Sequence, residues 1–173
     1  MMLAYAFLLV AVAFRFLPHA FGFTPILAAL LYFGARRPRK EVLCALPLLA
    51  AADLALNAFV YHYPFSVDLL ITWAWYAAIM LGAGAVLRNG ARPLRLAGAS
   101  LTGSVSFFVI SNFAVWLAWR MYPMTWQGLT ACYAAAVPFF RYTPLGDLVF
   151  TAVFFGIGAM VESRHEARAH AIA

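Results

Sequence analysis

Charge is scarce in this chain. Of its 173 residues, 12 are Lys or Arg and 6 are Asp or Glu, 10% together. A soluble domain carries roughly a quarter, and with 66% hydrophobic residues there is too little polar surface here to cover a water-facing core. A soluble globular fold is thereby excluded. Cysteine is nearly absent: Cys44 and Cys132 are the only two, too few for a disulfide framework, and they fall near opposite ends of the expected helices. HExxH, GxSxG, a Walker loop and paired carboxylates are missing, so catalysis or ATP hydrolysis by this chain is not expected. No ligand-spaced His/Cys run, repeat or low-complexity stretch occurs, and no intrinsic cofactor is expected.

What the chain has instead is apolar runs. Six can be drawn, at about 2–17, 24–35, 42–60, 67–87, 96–119 and 145–161, several approaching the ~20 residues that cross a bilayer. An all-α integral membrane bundle follows, a single transmembrane domain over 1–173 with a cytoplasmic tail at 162–173. Leu3 to Phe16 is read as its first helix, not as a signal peptide. It lacks a basic leader, and Arg15-Phe16-Leu17-Pro18-His19 is no small-residue cleavage site. The second run is short: twelve residues reach ~18 Å against a ~30 Å hydrocarbon layer. Thr24 can cap it and Pro25 suits its first position; Thr143 with Pro144 repeats the device, and Ser66 can cap the fourth.

Loop charge orients the bundle. Arg36, Arg37, Arg39, Lys40, Arg88, Arg92, Arg95, Arg164 and Arg168 fall on one side, and Arg15, Arg120 and Arg141 on the other. The excess puts both termini in the cytoplasm under the positive-inside rule. The net charge of +6 therefore reads as topology and lipid headgroup contact, with no nucleic-acid partner.

Polar groups within the runs gather in the outer half. Asp53 and Asn57 are one turn apart on one face; Asn112 lies in the outer third of the fifth run and Asp147 at the mouth of the sixth. Thr72, Trp73, Trp75 and Tyr76 occupy the outer half of the fourth. The inner halves carry Gly82, Ala83, Gly84, Ala85, Ser100, Thr102, Gly103 and Ser104, small residues that let helices approach closely in lipid. The expected bundle is tight inside and open, aromatic and polar outside.

Each candidate has two readings. Ionisable groups in membrane segments point to function, yet Asp53 can simply bond Asn57 or a neighbouring helix, and Asp147 can stabilise a helix start. His19 and His62 suit an aromatic belt, or as a pair a metal or haem edge. Cys132 can be a packed small hydrophobe or a soft metal ligand. Trp116, Trp119, Tyr122, Trp126, Tyr133, Phe139, Phe140 and Tyr142 can be belt residues or the wall of a pocket for a flat ligand.

A pattern of residues adds to this. Arg15-x-x-Pro18-His19, Phe23-Thr24-Pro25-Ile26-x-Ala28, Ser111-Asn112-Phe113-Ala114-Val115-Trp116, Tyr122-Pro123-x-Thr125, Gly128-Leu129-x-x-Cys132-Tyr133, Pro138-Phe139-Phe140 and Gly146-Asp147 cover about half the chain. They resemble a bacterial six-helix membrane family similar to the substrate-binding S-components of energy-coupling-factor (ECF) vitamin transporters, nearest to the solitary cobalamin S-components. The resemblance implies a six-helix inner-membrane protein with a short second helix and a helical periplasmic connection between helices five and six. It implies capture of a vitamin or related micronutrient, with cobalamin the leading candidate. Delivery inward would use an ECF coupling protein and ATPases, or a solitary mode. An Ala-x-x-x-Ala docking pair is absent from the first run; Ala51/Ala55 and Ala74/Ala78 have that spacing on other helices, which suits a solitary mode or a different dock.

The expected ligand site comprises His19, Thr24, Asp53, Asn57, His62, Trp73, Tyr76, Asn112, Trp116, Trp126, Tyr133 and Asp147. Cys132, or else His19, is the expected cobalt-facing group for a corrinoid. Two rivals stand beside this: a haem- or metal-holding redox subunit with His19 and His62 as axial ligands, and a non-catalytic assembly subunit whose aromatic outer face binds a protein.

Overall fold

A computed structural model describes residues 2–18, 22–88 and 90–172, with side chains as far as Arg168. Among the described residues the chain is all helical: α1 (Met2–Phe14), α2 (Ile26–Arg36), α3 (Arg39–Leu56) continuing into a π-turn (Asn57–Tyr61), α4 (Val67–Val86), α5 (Pro93–Trp119), α6 (Trp126–Phe140) and α7 (Tyr142–Ile172). Seven helices thus stand where six runs were drawn, the seventh being α6 in the connection after the fifth run.

Four stretches are long and apolar enough to cross a membrane: Arg39–Tyr61, Val67–Val86, Pro93–Trp119 and Tyr142–Arg168. The second run is short as expected. The first is short too, because its helix stops at Phe14 rather than about residue 17. Arg39, Lys40 and Arg95, expected in loops, sit in first turns of α3 and α5, and the expected tail continues α7.

Capping differs from the expectation as well. Pro25, not Thr24, holds the N-cap position of α2, without a side-chain cap bond. Ser66 is the N-cap of α4 but accepts no such bond, and Thr143 lies inside α7. At α6 a side chain does cap: the Thr125 hydroxyl accepts from the Gly128 N–H at 3.2 Å. A cap matters less in these helices because apolar packing along their length outweighs the ~1 kcal/mol at stake.

α2 is the axis of the molecule. Every residue from Leu27 to Ala35 is buried, and the helix packs against α1, α3, α4, α5 and α7. A helix apolar on all sides belongs inside a bundle. Lipid tails are as apolar as Leu, so its seat is held by close packing rather than by transfer out of water. Gly34 shows how close: a Cβ there would lie 2.0 Å from the Met80 carbonyl oxygen on α4. Gly103 gives way to Leu27, and Gly158 to the Tyr32 ring, in the same manner. Gly82, expected in the tight base, has open space beside it instead.

Charged side chains staple the end of the bundle where α2 stops. Arg36 pairs with Glu162 at 2.9 Å, and Arg37 with Glu41. The Tyr5 hydroxyl donates to Glu41 at 2.6 Å, and the Arg88 guanidinium to the Arg37 carbonyl at 3.0 Å.

Candidate functional site

Two short helices among long ones leave a hole. α1 ends level with Asp53, while α3 and its π-turn continue eight residues farther, to Tyr61. The space above α2 stays unfilled: a cavity of about 750 Å³, within the usual ~300–1,000 Å³ of small-molecule sites. Thr24, Ile26 and Leu27 border it at the start of α2, whose first N–H groups have no side-chain cap. Phe16, Tyr61, Tyr63, Trp75, Tyr76 and Phe107 supply aromatic walls, and Arg15 and Asp147 the charged groups.

Arg15 follows directly on the last turn of α1, and its placement is over-determined. Its Nη1 donates to the Asp53 carboxylate and lies 3.5 Å from the Tyr76 hydroxyl. The other oxygen of Asp53 accepts from the Trp73 indole N–H at 2.9 Å. Asp53 is 3% exposed and Arg15 19%, so the carboxylate is the sealed partner and the guanidinium the one that meets the cavity. A guanidinium has five N–H donors. Nε and Nη2 of Arg15 make no hydrogen bond to a described residue, leaving a planar donor pair suited to a carboxylate or phosphate.

Asp147 borders the same cavity from α7 and is 4% exposed. Its Oδ2 lies 2.6 Å from the Ser104 hydroxyl on α5, and no cationic side chain is in hydrogen-bond contact with it among the described residues.

The structure gathers part of the expected site and disperses the rest. Thr24, Tyr76 and Asp147 border the cavity, with Asp53 and Trp73 immediately behind Arg15. Asn57 opens the π-turn half-exposed, outside the cavity lining; of the two structural partners expected for Asp53, the neighbouring helix is the one observed, with Trp73 of α4 donating to it beside Arg15. His62 is exposed, in left-handed conformation at the end of the π-turn. His19 lies outside the described residues.

Around α6 the expected site residues lie outside the cavity lining, and several bond backbone carbonyls. The Asn112 amide donates to the Phe108 carbonyl at 2.8 Å, Trp116 to the Pro123 carbonyl and Tyr133 to the Val109 carbonyl. Trp126 is 78% exposed. Cys132 is buried with its thiol 3.7 Å from the Asn112 carbonyl, within the α5–α6 contact and outside the cavity lining. Among the described residues, no three His, Cys, Asp or Glu side chains converge.

In the sequence Arg15 stands as a cation of the poorer side and as the first residue of the Arg15-x-x-Pro18-His19 match, without a site role of its own. A lone arginine at the cation-poor end, flanked by Phe14 and Phe16, was the available signal. Val60 and Tyr61 were missed because a π-turn has no sequence period of its own; such turns recur at functional sites.

No curated protein and no solved structure matches this chain. The family described as DUF6580, a family of unknown function, matches residues 1–169, and the chain belongs to that family.

Proposed function

We propose that this protein is a membrane component that captures a small solute of the vitamin or micronutrient class for uptake, binding it in the cavity above α2. The observation that carries this reading is Arg15, fixed by Asp53 beneath an aromatic-walled cavity of about 750 Å³. A pre-positioned guanidinium costs little to organise when the ligand arrives. The uncapped start of α2 adds its positive end to the same field. The solute class is accordingly a compact molecule with a carboxylate for Arg15 and a flat apolar body for Tyr61, Trp75 and Phe107.

The cavity opens at the end of the bundle away from Arg36, Arg37, Arg88 and Arg92, which faces outward if the cation-rich end is cytoplasmic. That direction suits capture from outside an inner membrane. Cobalamin, the candidate implied by resemblance, fits less well than a smaller acid. A corrinoid is much larger than the drug-sized ligands that such a volume encloses, and Cys132, its expected cobalt ligand, does not border the cavity. Nothing in the positions of the described residues favours a haem-holding subunit, since His62 is exposed and outside the lining.

Protein purified in detergent without added ligand is expected to release a carboxylate-bearing small molecule on denaturation, detected by mass spectrometry. Arg15→Gln, which keeps a polar side chain but no charge, is expected to lose at least about tenfold of the occupancy, the scale of ~1.4 kcal/mol. Equal occupancy in the Arg15→Gln protein removes the carboxylate assignment. Wild type that releases no small molecule and whose tryptophan fluorescence is unchanged by cobalamin and by carboxylate vitamins removes solute capture altogether.

A further inference from the structure

Beneath the cavity, the seam between α5 and α7 holds four buried polar side chains. Ser104 and Asp147 meet across it at 2.6 Å. Ser100 is one turn from Ser104 on α5, and Thr151 one turn from Asp147 on α7, so helical geometry puts all four on the facing stripes of the two helices. They are 0%, 1%, 4% and 2% exposed in the order Ser100, Ser104, Asp147, Thr151. The hydroxyls of Ser100 and Thr151 are buried with no hydrogen-bond partner.

Both facts are out of the ordinary for a helix seam in an apolar medium. A helical Ser or Thr usually bonds the carbonyl one turn back, as the Ser104 hydroxyl does to Ser100 at 3.0 Å. Two buried hydroxyls that do not, beside a carboxyl with no cationic hydrogen-bond contact among the described residues, leave lone pairs and a carboxyl to be matched within one seam. A proton on Asp147 would answer the carboxyl but leave both hydroxyls as they are. A small hard cation answers the carboxyl and the hydroxyls alike, since carboxylate and hydroxyl oxygens are its preferred ligands.

We propose that the α5–α7 seam is a monovalent-cation site of the Na+ class, with Asp147 supplying the charge and Ser100, Ser104 and Thr151 the neutral oxygens. The ion enters from the cavity, because Asp147 borders both spaces, and takes the place of the Ser104–Asp147 hydrogen bond. The charged and titratable groups that share the cavity with Asp147 are Arg15, Tyr61, Tyr63 and Tyr76; Arg15 is neutralised by Asp53 on its far side, so it does not repel the ion as a free cation would. The site stands without the solute reading. Together with it, Asp147 serves ion and solute, and each ligand alters the affinity of the other by the same factor.

The test uses the full chain in detergent with no added solute. Equilibrium binding of radioactive Na+ is measured beside thermal unfolding in NaCl, KCl and choline chloride at one ionic strength. Expected are saturable Na+ binding, an unfolding temperature raised by Na+ above choline, and loss of both in Asp147→Asn. Thr151→Val and Ser100→Ala, which remove one hydroxyl at little change of shape, are each expected to weaken Na+ binding about tenfold, as loss of a supporting oxygen does at metal sites. No saturable Na+ binding overturns the proposal, as does binding that survives Asp147→Asn. Stability that responds to pH but not to Na+ overturns it in favour of a proton. Thr151→Val and Ser100→Ala proteins that become more stable in sodium and choline alike overturn it too, because the hydroxyls are then merely uncompensated.

Discussion

The two ends of this bundle differ in how closely their helices approach. At the base, around Gly34, helices touch backbone to backbone, and the Arg36–Glu162 and Arg37–Glu41 pairs close the rim. At the mouth, around Arg15, helices stand apart, and position comes from polar side chains that are present and paired. The difference follows from the medium. Lipid gives no hydrophobic drive to bring helices together, so tightness needs small residues; a gap between helices needs polar groups satisfied by one another. The molecule can thus keep a tight base and an open end in one fold, with α2 starting at the floor of the gap.

Substitutions that attack one end at a time sharpen this contrast. Asp53→Ala is expected to be the most damaging: it leaves the largely buried Arg15 guanidinium unpaired and frees the Trp73 indole, at a cost of about 3–5 kcal/mol. Thermal unfolding followed by tryptophan fluorescence measures it, and solute occupancy should fall in the same protein. Gly34→Ala should come next, at about 1–3 kcal/mol of overpacking, because the added methyl meets the backbone of Met80, which cannot rotate away. Its signature is lost stability with solute affinity retained in the protein that folds. An unchanged unfolding temperature would mean that α2 and α4 slide apart freely, and the contrast between base and mouth would fail.

Trp73→Phe removes one hydrogen bond to the Asp53 carboxylate and keeps the ring, for about 1.5–3 kcal/mol. Trp126→Ala should be smallest, within about 0.5 kcal/mol and without effect on solute occupancy, since the side chain is 78% exposed. A strong loss of occupancy in Trp126→Ala would move the binding site toward α6, where the sequence pattern had put it.

That displacement is informative about what a sequence reveals. The stretch from Ser111 to Asp147 carries three of the five tryptophans and three of the eight tyrosines, and it draws the expected site toward Asn112, Trp116, Trp126, Cys132 and Tyr133. Most of these turn out to bond the backbone of α5 and the turn before α6. An aromatic residue at a helix connection looks the same in sequence whether it meets a ligand or a carbonyl. Asp53, Trp73 and Tyr76 were legible because a charge or hydroxyl inside an apolar run must have a partner. The partner itself, Arg15, was not, since 38 residues separate it from Asp53.

Composition by itself determined the all-helical, membrane-compatible class, because so few charges cannot cover a soluble core and so many apolar residues cannot leave backbone groups unpaired in lipid. Run length determined that the second helix would be short. Only the tertiary structure decided what the shortness is for. Where α1 and α2 end relative to α3, α4, α5 and α7 depends on contacts between residues far apart in the chain, and those contacts set Arg15 against Asp53, Asp147 against Ser104, and an unfilled space between them.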